Sequence, residues 1–392
     1  MPDFPSILED KYNKALEEFD EDRGKSFFDN LMANATTWLE TIAKYSERQR
    51  GVVSVLVTSL TKKMKSPEQD IRYHQDQLQG GYSGRTLDTQ YVTPFMKEHF
   101  RRIAMKEAGW LTRSLEQPYP YTLDYQGKIK NKHVRNAFLQ ILNDVEVNHA
   151  NPENYLVGLF IHLIRQRSRI QTLISKKTHV PSEVSIDLVI NRLRSHFFGS
   201  YSSHGASKLP VIAIYSLYQI MVKELDRYNN KKLKALKSHL AADVRAGEIG
   251  DIEVIDKKNR FFEAMEIKLG KPITLEMIDD SYEKFKHTSV KRYYLLTTAD
   301  PFIEEGEKKN SERVIEKIRK DHGCEVIING VINSIKYYLR LIRKPENFIE
   351  TYTKNLRYDA STGAEIKEEH LRAWLNFFTQ KRGLNHLMVD GD

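Results

Sequence analysis

From the N-terminus to about residue 200, apolar residues recur three and four places apart, and alternating β-branched runs are scarce. Such spacing gathers the apolar side chains on one face of a helix. It predicts helices at roughly 7–19, 27–45, 52–64, 67–78, 94–111, 133–147, 154–175 and 182–198, with no sheet among them. Ser66-Pro67 and Asn151-Pro152 read as helix starts, a capping residue followed by the ring that a first turn tolerates. The Gly- and Pro-rich stretches 79–84 and 117–121 read as loops.

After Gly199 the pattern changes. A long apolar helix is expected over 209–228, opened by Pro210 and followed by a basic connector through Lys237. Two short strands, 252–256 and 261–268, flank Lys257-Lys258-Asn259-Arg260, a loop of hairpin size. Helix is expected again at 274–287 and 311–322, strand at 291–298 and 325–329, and helices at 331–342, 346–355 and 366–380. A hairpin followed by helix, strand, helix and strand demands a mixed sheet with at least one crossover helix. The expected fold class is therefore α/β, with a helical region over 1–200 and an α/β domain over 201–392.

Composition narrows the function classes. A chain of 392 residues is long for one core, which suggests two or three domains. One cysteine, Cys324, excludes an intramolecular disulfide and a Cys-rich zinc site, and suits a reducing compartment. It reads as a small buried residue at a strand start. The acidic N-terminus lacks the basic start and apolar run of a secretory signal, and no stretch approaches the roughly 18 apolar residues of a membrane span. The expected location is the cytoplasm, with no membrane partner. A net charge of +8 makes polyanions the natural partner class. Between Tyr155 and Lys208 eight Lys or Arg face two acids, so the excess is concentrated there.

Single-residue parity brings out the candidate chemistry. In the strand 261–268, Glu266 and Lys268 share one face with Ala264, while Met265 and Ile267 take the other. Asp251 stands at the head of the neighbouring strand and can approach Glu266 across the hairpin. Two carboxylates supply the hard oxygen ligands that Mg²⁺ prefers. Lys268 can orient an attacking water and stabilise developing negative charge. An acid two residues before a Lys is weak on its own, since it also occurs at Glu9/Lys11, Asp256/Lys258, Glu307/Lys309 and Glu365/Lys367. Only Glu266/Lys268 lies in an apolar strand with a carboxylate at the head of the next. The competing reading is a solvent-facing ion pair on an edge strand.

The segments Asp251-Ile252-Glu253-Val254 and Phe262-Glu263-Ala264-Met265-Glu266-Ile267-Lys268 resemble the metal-binding motif of PD-(D/E)XK nucleases. Tyr201 to Pro210, Lys291 to Thr298 and His322-Gly323-Cys324-Glu325-Val326 are similar to the SacI-type family of type II restriction endonucleases. So are Tyr82-Ser83-Gly84-Arg85-Thr86-Leu87 and Gln117-Pro118-Tyr119, so the resemblance spans most of the chain. Gly250 stands where the superfamily motif carries its Pro. The resemblance implies a PD-(D/E)XK nuclease core, a Mg²⁺-dependent enzyme that cuts both strands of a short DNA sequence, and a prokaryotic host protected by a methyltransferase. The helical region would then serve DNA embrace or dimerisation. By analogy with palindromic sites a homodimer is expected.

Weaker signals carry open alternatives. Glu253 shares parity with Asp251 and is a possible accessory ligand or an edge-facing surface acid. Glu224, on the long helix, is a possible accessory from the side. His204, Ser207 and Lys208 precede a helix N-terminus, where backbone N–H groups favour a phosphate, although plain capping explains them equally. Lys257, Lys258 and Arg260 are candidate grips on the DNA backbone, or solvated loop charges. Arg165 and Arg169 share a helix face and are candidates for DNA contact, to phosphates or to base edges. No HxxxH or HExxH spacing suggests zinc, and no Walker loop suggests ATP. Asp300-Pro301-Phe302 reads as a strand-end turn. Two other functions stay open: a repair or structure-selective nuclease with the same core, and a non-catalytic DNA-binding protein in which the acids and Lys268 form an ion-pair patch.

Overall fold

The structure is a computed structural model that describes residues 3–111, 115–178, 180, 183–236, 247–362 and 365–378. The chain divides into two compact units, Met1–Gln171 and Thr172–Asp392.

The first unit is helical: α1 Phe4–Asp22, α2 Lys25–Asp29, α3 Ala33–Lys44, α4 Arg50–Lys65, α5 Gly84–Leu87, α6 Thr93–His99, α7 Lys132–Val147 and α8 Pro152–Ser175. Asp3 caps α1 by accepting the Ser6 N–H at 2.9 Å, and Arg23 closes it in the left-handed conformation. Helix α4 buries Val52, Val53, Val55, Leu56, Val57 and Leu60 together with Ser54, Thr58, Ser59 and Thr61, so its first three turns lie inside the core. No strand occurs among the described residues of this unit.

Three expected helices differ from what forms. The run 27–45 breaks into α2 and α3, and 94–111 is helical only through α6 and a short 3₁₀ turn at Gly109–Leu111. The expected helix 67–78 is absent; the segment is a series of turns. Short local turns are joined by bonds to distant parts of the chain. Ile71 N–H donates to Glu146 at 3.1 Å, Arg72 O accepts from Tyr121 N–H at 3.0 Å, and Tyr73 O accepts from Tyr82 N–H at 3.0 Å.

The second unit is α/β, with α9 Ile186–Phe197, α10 Lys208–Glu224, β1 Lys231–Leu233, β2 Ile252–Asp256, β3 Phe261–Lys268, α11 Leu275–Phe285, β4 Val290–Thr297, α12 Lys308–His322, β5 Glu325–Gly330, α13 Val331–Leu339, α14 Pro345–Thr362 and α15 Glu368–Asn376. The strands form one mixed sheet in the order β1-β2-β3-β4-β5. The β1–β2–β3 pairs are antiparallel and β3–β4–β5 parallel, with α11 and α12 as the crossovers. One face packs Ile252, Val254, Met265, Ile267 and Leu296 against α10, α13 and α14. The other packs Ala264, Tyr293, Leu295 and Val326 against Ile278 and Phe285 of α11 and Ile318 of α12. Helix α9, which the periodicity groups with the N-terminal helices, buries Val189, Ile190, Leu193 and Phe197 in this unit's core. Cys324 is buried just before β5, where burial pushes its thiol up to about 12. Among the described residues no helix is long and apolar enough to cross a membrane.

Burial pushes the imidazoles of His74 and His162 down to about 4 and that of His196 to about 3. These rings are neutral in the folded chain, whereas unfolded they take up a proton near pH 6.5. The unfolded state therefore binds more protons once the pH drops below that value, and stability falls with it. We expect the urea midpoint to decline steadily from about pH 6.5 to about pH 4; a midpoint constant over that window would contradict the neutral buried rings.

Candidate active site

Gly250 leads the chain into β2 against the backbone of β3. A Cβ there would lie 2.6 Å from the Met265 carbonyl oxygen, so the closeness of the two chains requires glycine. A Pro at this place would meet the same carbonyl. Asp251 follows, one step before Ile252, which pairs with Met265. The same antiparallel step places Asp251 across from Glu266 on one sheet face. Asp251 Oδ2 accepts the Ile267 N–H at 2.8 Å, which fixes this carboxylate at the backbone beside Glu266.

Glu266 is mostly buried and engages two ammonium groups. Lys268 Nζ lies 2.7 Å from Oε1, and Lys284 Nζ, from α11, lies 3.2 Å from Oε2. Burial alone would raise the Glu266 carboxyl, but the hydrogen bonds and charges of Lys268 and Lys284 hold it below its ordinary value. Beneath them Tyr293 donates to Ile249 O at 2.6 Å. Its phenol is pushed well above its ordinary value, first by burial and then by the charges of Glu266, Asp251 and Glu253. The charges of three carboxylates thus bear on one buried phenol.

These residues suit a hard divalent cation. Mg²⁺ takes one or two carboxylates and retains several waters, so Asp251 and Glu266 make a sufficient protein donor set. No cluster of three or more His, Cys, Asp or Glu positioned for a metal occurs among the described residues. Glu253 does not extend the pair. It is buried, with Oε1 accepting the Ile249 N–H at 2.7 Å and Oε2 lying 2.5 Å from Lys234 Nζ. The expectation of an edge-facing surface acid fails because β1 pairs with the outer side of β2. Glu224 lies at the end of α10, which packs on the opposite face of the sheet, and its carboxylate accepts the Arg343 N–H at 2.8 Å. The fold does not bring it to Glu266.

The candidate DNA contacts separate by exposure. Lys257, Lys258 and Arg260 sit exposed on the β2–β3 turn, with Arg260 paired to Asp256 at 2.8 Å. His204 and Ser207 are exposed, but the preceding amides are already engaged: Glu369 accepts the Ser202 N–H at 3.0 Å and also the Ser203 N–H. Lys208 is only 1% exposed, with Nζ 3.6 Å from Glu365, so it is unavailable to a DNA backbone. Arg165 donates to Arg23 O at 2.5 Å and lies 5.5 Å from the Phe28 ring centroid. It is spent on packing within the helical unit, while Arg169 is exposed.

Lys284 and Tyr293 complete the site, and spacing along the chain does not reveal either. On the opposite face Glu263 is fully buried, paired with Arg227 and accepting hydroxyls from Tyr228 at 3.1 Å, Tyr218 at 3.3 Å and Tyr294 at 3.3 Å. That face is therefore not purely apolar, although strand parity assigns it to the core.

Compared with known proteins, the sequence matches no protein-family model, and no curated protein gives a significant match.

Proposed function

We propose that this chain is a divalent-metal-dependent phosphodiesterase that acts on DNA. More particularly, we infer a type II restriction endonuclease with a PD-(D/E)XK core that cuts a short double-stranded sequence, acts as a homodimer, and works alongside a methyltransferase that protects host DNA. The observation that supports this most is the pairing of Asp251 and Glu266 on one sheet face with Lys268 at 2.7 Å from Glu266.

Asp251 and Glu266 would hold Mg²⁺, which when bound neutralises a phosphate and lowers the pKa of a coordinated water. The Ile267 amide holds Asp251 in orientation. Lys268, partly exposed on the same face, presents its ammonium where a water and a developing negative charge would sit. The exposed Lys257, Lys258 and Arg260 lie at the far end of the hairpin, available to phosphates outside the cleavage point.

Digestion of unmethylated phage DNA tests the reading. Discrete fragments with Mg²⁺, and none with a chelator, are expected. A smear, or a preference for junctions, would favour a structure-selective nuclease. DNA binding with no cleavage under any divalent ion would leave the acids and lysines as an ion-pair patch.

A further inference from the structure

Both oxygens of Glu266 are held by ammonium groups, and the two lysines are not equivalent. Lys268 is fixed two residues along the same strand, at 2.7 Å, with 30% of its side chain exposed. Lys284 reaches over from α11, at 3.2 Å, with 43% exposed. Asp251, Glu266, Lys268 and Lys284 balance in charge with no cation added. A dication arriving at Glu266 would stand within a few ångströms of both ammonium groups. At such distances each like-charge contact costs on the order of kilocalories even in a partly screened site. One ammonium must therefore withdraw. The longer contact and the greater exposure single out Lys284. Once released from Glu266, its ammonium would be available to a substrate phosphate.

We propose that Lys284 is a displaceable counter-ion: it occupies Glu266 in the free protein, yields that oxygen to the metal, and moves to a DNA phosphate, so that metal and DNA each strengthen the other's binding. The inference rests on the metal-centre reading above. Lys284 acts on the metal through Glu266 and on the substrate through a phosphate, and its signature is a gain of metal affinity when it is removed. Coupling of this kind is reciprocal and commonly amounts to between five- and a hundredfold.

The test is calorimetric titration of Ca²⁺ into the full chain, with and without sonicated plasmid DNA, for the wild type, Lys284→Met, Lys284→Arg and Glu266→Gln. The free Lys284→Met protein should bind Ca²⁺ roughly tenfold more tightly than the wild type, and DNA should strengthen that binding by less than it does in the wild type. Lys284→Arg should restore weak, DNA-enhanced binding. Glu266→Gln should lose the site. If Lys284→Met binds Ca²⁺ no better than the wild type while Glu266→Gln abolishes binding, the metal centre stands and the role of Lys284 is refuted. If Glu266→Gln binds Ca²⁺ as the wild type does, the metal-centre reading itself falls, and this proposal with it.

Discussion

Glu266→Gln should reduce DNA cleavage by roughly a thousandfold, because a lost metal ligand removes about 4 kcal/mol of transition-state stabilisation. The substitution keeps the shape of the side chain and removes its charge. It leaves Lys268 and Lys284 without their shared carboxylate, but both are partly exposed and can turn to water, so the fold should survive. DNA binding should persist, since neither lysine is lost. Single-turnover cleavage beside a gel-shift assay separates the two effects. Cleavage within about tenfold of the wild type would mean that Glu266 holds no reacting metal.

Glu263→Ala should have the largest effect on stability. The carboxylate is fully buried on the sheet face opposite Glu266 and balances Arg227 while accepting from Tyr218, Tyr228 and Tyr294. Removing one partner of a buried pair costs about 3–5 kcal/mol, because the hydroxyls and the guanidinium are left unmatched. Arg227 is 44% exposed and can recover some solvation, which favours the lower end of that range. The expected outcome is a fall in Tm on the order of 10 °C. Activity per folded molecule should change little, since Glu263 faces away from the candidate site. A Tm within about 2 °C of the wild type would show that the cluster contributes no net stability.

The extents of the two hairpin strands were legible in the sequence, but the register shift between Val254 and Ile255 was not. Both strands fall at the residues that alternation predicts, and the turn forms with Asn259 in the left-handed conformation that this residue type tolerates. The mixed sheet with its crossover helices followed from the order of elements. Strand β1 did not. Its three residues include two lysines, and its place is set by backbone pairing to β2, which leaves no alternation to read. Missing β1 is what made Glu253 look like an edge residue, because Lys234, directly after that strand, is the residue that buries its charge. The turns over 67–78 were hidden for a similar reason, since their partners Glu146 and Tyr121 are distant in the chain.

Within the site, parity gave Asp251, Glu266 and Lys268, all of which depend on neighbouring strands. Lys284 depends on how α11 packs, and its spacing resembles that of any solvated helix face. Lys208 failed in the opposite way. As a charge beside a helix start it reads as a phosphate contact, yet the fold buries it near Glu365.

Anomalous diffraction from crystals of the protein soaked in Mn²⁺ tests directly whether Asp251 and Glu266 share a metal ion. One strong peak bonded to carboxylate oxygens of both Asp251 and Glu266 is expected, lost in crystals of Glu266→Gln. A peak elsewhere, or a peak that persists in the Glu266→Gln crystals, would contradict the shared metal site.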